Sequence, residues 1–220
     1  MHFDFGFLIS SFPQLLSGLG NTLLLVCVSS VIGVLIGLGV CMGKLYATGA
    51  LNRLCRIYIA VVRGIPEIVV MFWVYYCFPL MFNVRPSGFA SAAIAMALYS
   101  GAMLAEVFRA GILAVPRGQH HAAHALGMPD FWIWAEIIAP QALRTMIPAL
   151  LGVLSLEIKI SGIASAIGFG ELVYTSTILG AQSFRYFELF TAIGIVYFVL
   201  IFALSSAARG YEARLRSFTR

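Results

Sequence analysis

Charge is what this sequence has least of. Asp, Glu, Lys and Arg make up 10% of its 220 residues and hydrophobic side chains 61%, where a soluble domain holds roughly a quarter and a half. That balance excludes a water-soluble globular protein and implies an integral membrane chain. The net charge is +5, but the basic residues flank apolar runs instead of forming a patch, so no nucleic-acid partner is implied. Cys27, Cys41, Cys55 and Cys77 lie far apart with no CxxC pair. They read as small buried side chains, not as a disulfide framework or metal centre. The stretch before Leu19 has no Lys or Arg, so it lacks the basic start of a cleaved signal peptide and is expected to be kept. No internal repeat is present, which argues against a transporter built from two repeated halves. Residues 39–44, GVCMGK, fail as a phosphate loop: the first Gly stands one residue too near, and Leu45 replaces the Ser or Thr.

What the chain does have is apolar length. It allows about five or six spans of about 20 residues each. The expected spans are about 19–42, 57–82, 89–108, 149–169 and 188–208, in a single transmembrane domain, 1–220. Phe3, Phe5, Phe7 and Phe12, ahead of the first span, suit an aromatic segment on the outer surface, with a frayed terminus as the plainer reading. Gly33, Gly37, Gly39 and Gly43 give the first span small-xxx-small pairs for close helix approach. Pro66 interrupts the second span, and Glu106 and Arg109, three apart, are expected to pair near the inner surface. Lys44, Arg53, Arg56, Arg63, Arg109, Arg117, Arg144 and the tail arginines Arg209, Arg214, Arg216 and Arg220 fall on one side, and Arg85 and Arg185 on the other. The fold class is therefore all-α integral membrane, with five transmembrane helices, N-terminus outside and C-terminus cytoplasmic.

Between the third and fourth spans lies a polar excursion, 115–147, holding His120, His121 and His124 with Arg117, Asp130, Glu136 and Arg144. Ala122, Ala123 and Leu126 fall on one helical face, and Gly127, Met128 and Pro129 give a helix stop. His120 and His124 have the i, i+4 spacing of a chelating pair, but no third ligand stands nearby in sequence, so no metal is expected. No Ser and His stand at one depth in the membrane, and no catalytic residue is expected.

This loop resembles the cytoplasmic coupling loop of bacterial ABC importer permeases, with Glu-Ala-Ala, Gly, and Ile-x-Leu-Pro at fixed spacings. Ala122, Ala123, Gly127, Ile137 and Pro140 match, while His121 replaces the Glu and Ala139 the Leu. Asn21-Thr22, Arg63-Gly64-x-Pro66, Glu106-x-x-Arg109, Val115-Pro116-Arg117-Gly118-Gln119 and Pro140-Gln141-Ala142 resemble the polar amino-acid branch, and Pro66-Glu67 with the Ala181-Gln182-Ser183 region looks nearest the histidine and opine permeases. The resemblance implies a type I ABC importer permease fold in the bacterial inner membrane, a multi-pass transport subunit with no catalysis of its own. It also implies the partners: an ATP-binding cassette ATPase dimer that holds ATP and Mg, a second homologous or identical permease subunit, a periplasmic binding protein, and membrane lipid. His121, Ala122, Ala123, Leu126 and Gly127 are the expected ATPase-coupling residues.

The remaining polar groups are ionisable side chains in lipid: Glu67, Glu157 and Lys159. A charge at the bilayer centre costs roughly 2.5–3.5 kcal/mol on insertion scales, so such groups face a cavity or a partner. Counted from span starts near Ile57 and Pro148, Glu67 and Lys159 both lie about 15 Å deep. Glu157 and Lys159, two apart, point to different faces. Expected at the substrate are Lys159 for a carboxylate, Glu67 for an amino or guanidinium group, and Ser161 and Gly162 beside them. The substrate class is a polar, basic or opine-like amino acid. A fixed interhelical ion pair is the structural alternative for these charges, and a secondary transporter or channel working without an ATPase is the functional one.

Overall fold

A computed structural model describes residues 3–218, with side chains described through Ala213. His2, Arg214, Arg216 and Arg220 therefore lie outside the described side chains. Eight helices order the described residues: α1 Phe5–Tyr46, α2 Gly49–Gly64, α3 Glu67–Phe82, α4 Gly88–Leu113, α5 Arg117–Ala125, α6 Asp130–Ile167, α7 Leu172–Ser183 and α8 Tyr186–Phe218. Helices α1, α4, α6 and α8 are each long and apolar enough to cross a membrane, and the bent pair α2–α3 makes a fifth span.

The helix that carries the first span begins well before Leu19. Asp4 caps α1 by accepting from the Phe7 N–H at 3.0 Å, and the helix then runs 42 residues through Pro13. The aromatic start is thus helical and continuous with the helix that carries the span. Phe3 packs on Phe187, and the Arg185 guanidinium lies over the Phe7 ring. Its buried stripe includes Thr22, Ser29, Gly33, Gly37 and Cys41, nearly all small. A Cβ at Gly37 would stand 2.8 Å from Leu104 Cβ, so α1 and α4 touch backbone to backbone there. Gly33 sits on Ser100 and Gly43 on Cys55, while Gly39 faces open space.

The second span is broken. Helices α2 and α3 meet at 110° across Ile65 and Pro66, and the first half starts at Gly49, not Ile57. Pro66 has no N–H to continue α2, and its carbonyl instead accepts from the Val69 N–H, starting α3. The Tyr58 hydroxyl donates to the Leu98 carbonyl at 2.5 Å, pinning α2 across the middle of α4. Leu25 and Met71 join Met96 and Ile158 in the larger buried cluster, and Cys41, Phe108 and Met146 form a second.

Two π-helical stretches, Trp73–Cys77 and Ile133–Ile138, each end just before a proline, Pro79 and Pro140. A proline ring clashes with the carbonyl four residues back. The Phe78 N–H reaches Trp73 and the Ala139 N–H reaches Trp134, so the ladder widens by one residue before each ring. The helix that carries the fourth span consequently begins in the polar excursion, at Asp130, and Pro148 lies inside that helix instead of opening it.

Candidate functional site

The cytoplasmic site is α5 and its seat. Gly127 takes φ +76°, the Gly127 N–H donates to the His124 carbonyl, and the Met128 N–H reaches back to Ala123. This left-handed stop needs glycine, and Pro129 keeps α5 from resuming. The turn lays α5 against the π-helical part of α6, where Ala123, 2% exposed, packs on Ile133 and Ile138. Ala123 is therefore the residue that fixes the helix to its own chain, and it is not offered outward. Ala122 and His121 are exposed, as is Leu126 at 81%. A hollow of about 360 Å³ beside the helix is lined by Pro116, Arg117, His120, His121 and Trp134.

The membrane site gathers at the middle of α4. Glu67 opens α3, where the free N–H groups of a helix start favour a carboxylate, and it lies beside Tyr99, with Arg63 close by. Glu157 of α6 is buried, accepts from the Ser30 hydroxyl of α1, and has Ser29 and Ser100 around it. The count of helical rise from Ile57 and Pro148 fails because neither residue starts a helix. Yet both carboxylates lie at one level, beside Tyr99 and Ser100. Lys159, two residues beyond Glu157, is exposed on the surface of the chain, between the buried Ile158 and Ile160. Helix α3 packs against the 3₁₀ turn Gly162–Ile167 that ends α6, so the two breaks in the helices adjoin.

Ser161 does not belong to this surface. It is fully buried within this chain and its hydroxyl donates to the Ile158 carbonyl at 2.7 Å. Gly162 is half-buried, and a Cβ there would meet Val173 at 3.0 Å, so its smallness serves the seating of α7. Among the described residues none of Glu67, Glu157 and Lys159 makes an ion pair, which leaves the fixed-pair alternative without a partner inside this chain. Glu106 does pair with Arg109, at 3.0 Å, and also with Lys44, tying α4 to the inner end of α1. A hollow of about 450 Å³ opens beside this triad, lined by Arg63, Glu106, Gly111, Thr145 and Met146.

Sequence reasoning missed Glu171. It is fully buried, and its carboxylate accepts from the Val173 and Tyr174 N–H groups at 2.9 and 2.7 Å. The Leu172 N–H donates to Thr22, and Asn21 donates to the Gly170 carbonyl, so the start of α7 is stitched to α1. The sequence signal was slight, a Glu after Gly170 ahead of a mostly apolar stretch, since Glu is not among the usual N-cap residues.

Long apolar helices, one of them broken at Pro66, together with a short polar helix between two of them, are the architecture of a multi-pass membrane component. The chain belongs to the family of binding-protein-dependent transport system inner membrane components, whose pattern matches residues 33–217. It is 32% identical over 217 residues, 99% of each chain, to the arginine transport system permease protein ArtQ of Bacillus subtilis (strain 168). It superposes with TM-score 0.88 and 34% identity on a chain from a crystal structure of an amino acid ABC transporter with histidines, covering 97% of this chain and 100% of that one. An inward-facing MetNI methionine ABC transporter chain shares the fold at TM-score 0.75 and 22% identity, over 93% of this chain and 97% of that one. The architecture is thus that of a type I ABC importer permease in the inner membrane. Family membership gives no support to the reading as a secondary transporter or channel.

Proposed function

We propose that this chain is the membrane subunit of an ATP-driven importer that carries a polar, preferentially basic, amino acid or opine-like compound into the cytoplasm. One observation carries the reading: Lys159 lies in the apolar part of α6, is exposed on the single chain, and makes no ion pair among the described residues. Lipid is a costly neighbour for an ammonium, so this face borders a second permease subunit and the aqueous path between the two. Lys159 receives the substrate carboxylate, and Glu67 reads the amino or guanidinium group. A periplasmic binding protein delivers the substrate. An ATPase dimer, which holds ATP and Mg, docks on the outward side of α5 through His121, Ala122 and Leu126, while Gly127 and Ala123 set that helix in place.

The test is uptake in reconstituted transporter with Lys159→Met and Glu67→Gln, with expression and basal ATP hydrolysis measured in parallel. Lys159→Met is expected to abolish uptake of every amino acid. Glu67→Gln is expected to impair basic substrates at least about tenfold more than neutral ones, the loss of one charge-assisted hydrogen bond. Equal losses for both classes would remove Glu67 from substrate reading.

A further inference from the structure

The turn at Gly127 brings together three groups that the sequence holds apart. His120 and His124 lie one helical turn apart on α5, with ring centroids 4.7 Å from each other. Beyond the turn, Asp130 opens α6, and its Oδ1 stands 2.9 Å from His124 Nε2. One ligating atom from each of His120, His124 and Asp130 lies within 4.8 Å of the other two. The third ligand that sequence spacing failed to supply is therefore present, carried in by the left-handed glycine and the proline after it.

We infer that His120, His124 and Asp130 form a binding site for a divalent transition ion of the zinc class, on the outward side of the coupling helix. Two imidazoles and one carboxylate are a donor set that suits zinc, with a fourth position left for water or a group from a docked partner. At metal–ligand distances of about 2.0–2.2 Å the donors of a tetrahedral ion stand roughly 3.4 Å apart, so His120 has to turn slightly inward. It is free to do so, since His124 and Asp130 are exposed and His120 only half-buried. The helix fixes the two histidines at the chelating spacing, and the Schellman turn fixes where Asp130 begins, so little further ordering is needed. An ion there clamps α5 to α6 across Gly127, at the end of the helix opposite Arg117. The site stands on geometry alone and does not depend on the transport reading.

The plainer account of the contact is a His124–Asp130 pair with His120 as a bystander, and the two accounts separate cleanly. The full chain in detergent, purified without a polyhistidine tag, is titrated with Zn²⁺ against a chromophoric chelator. Saturable binding of one ion per chain is expected. His120→Ala, His124→Ala and Asp130→Asn should each weaken it by about tenfold or more, while His121→Ala, on the neighbouring residue, leaves it unchanged. Melting in metal-free buffer checks that each variant is folded, and His120→Gln serves as the milder replacement. Absence of saturable binding overturns the assignment. So does a silent His120→Ala, which would leave only the pair, or an equal loss in His121→Ala, which would mean scattered surface histidines.

Discussion

Two short helices interrupt the spans, and they are held in opposite ways. Helix α7, on the outer side, begins at a fully buried carboxylate, with Glu171, Thr22 and Asn21 satisfying its first backbone groups and its flank. Helix α5, on the inner side, has no side-chain cap and rests on its own chain through the single buried alanine Ala123. Leu126, next to the stop, is left 81% exposed. A helix whose terminal groups are buried in its own chain is part of that chain's fold. One that leaves a leucine in water and its N–H groups open is shaped for another surface. The difference separates the part of the molecule that folding requires from the part that coupling requires.

The largest expected effect is on the outer helix. Glu171→Ala strips two backbone N–H groups of their acceptor in a buried place, at a cost of about 2–4 kcal/mol. Thermal melting of the chain in detergent reads it. Thr22→Val, which frees the Leu172 N–H but leaves the Glu171 cap in place, should cost about 1 kcal/mol. A Glu171→Ala chain that melts like the parent would show that α7 is held by apolar packing instead, and the contrast with α5 would fall.

On the inner helix the expected effects split between the buried Ala123 and the exposed Leu126. Ala123→Arg forces a long charged chain against Ile133 and Ile138, which costs roughly 1–3 kcal/mol and unseats the helix. Melting and coupling should then fail together. Leu126→Asp touches nothing inside the chain, so melting should hold while uptake and substrate-stimulated ATP hydrolysis drop. His121→Glu, the family residue, should be tolerated in both measurements. If Leu126→Asp left coupling intact, the exposed side of α5 would not be the docking side.

Much of this arrangement was legible because it is local chemistry. The Gly127–Pro129 stop needs only a residue that accepts positive φ followed by one that cannot continue a helix, and both stand in the sequence. The Glu106–Arg109 pair needs only a helix. What depends on neighbours was not legible. Pro66 announced a break, but its 110° angle comes from Tyr58 on Leu98 and Met71 in the core. The burial of Ser161 was not legible because, in a membrane helix, the faces toward lipid and toward the chain's own helices are both apolar, so periodicity does not tell them apart. Asp130 went unnoticed as a partner of His124 for a different reason. Six positions separate them in sequence, and only the reversal at Gly127 makes them adjacent.

The smallest expected effect sharpens the comparison from the outer rim. Asp4 accepts from the Phe7 N–H and pairs with Arg185, just after α7 ends, so the start of α1 is latched to the chain that follows α7. The Phe7 N–H first, and the Arg185 guanidinium with it, hold the Asp4 carboxyl below its ordinary value of 3.8. A lowered carboxyl favours the folded chain above the ordinary value and loses that contribution as pH falls through the folded one. The latch is therefore fully present at neutral pH and absent in strong acid. Because both side chains are partly open to water, the gain is slight, and added salt reduces it further. Asp4→Asn is expected to melt marginally below the parent at pH 7, with the gap closing as pH drops beneath the normal Asp range. Unlike Glu171→Ala, it should leave α7 seated, which hydrogen exchange at Val173 and Tyr174 would report. A gap that persisted in acid would mean that Asp4 acts through its backbone cap geometry and that the charge of Arg185 contributes nothing to the latch.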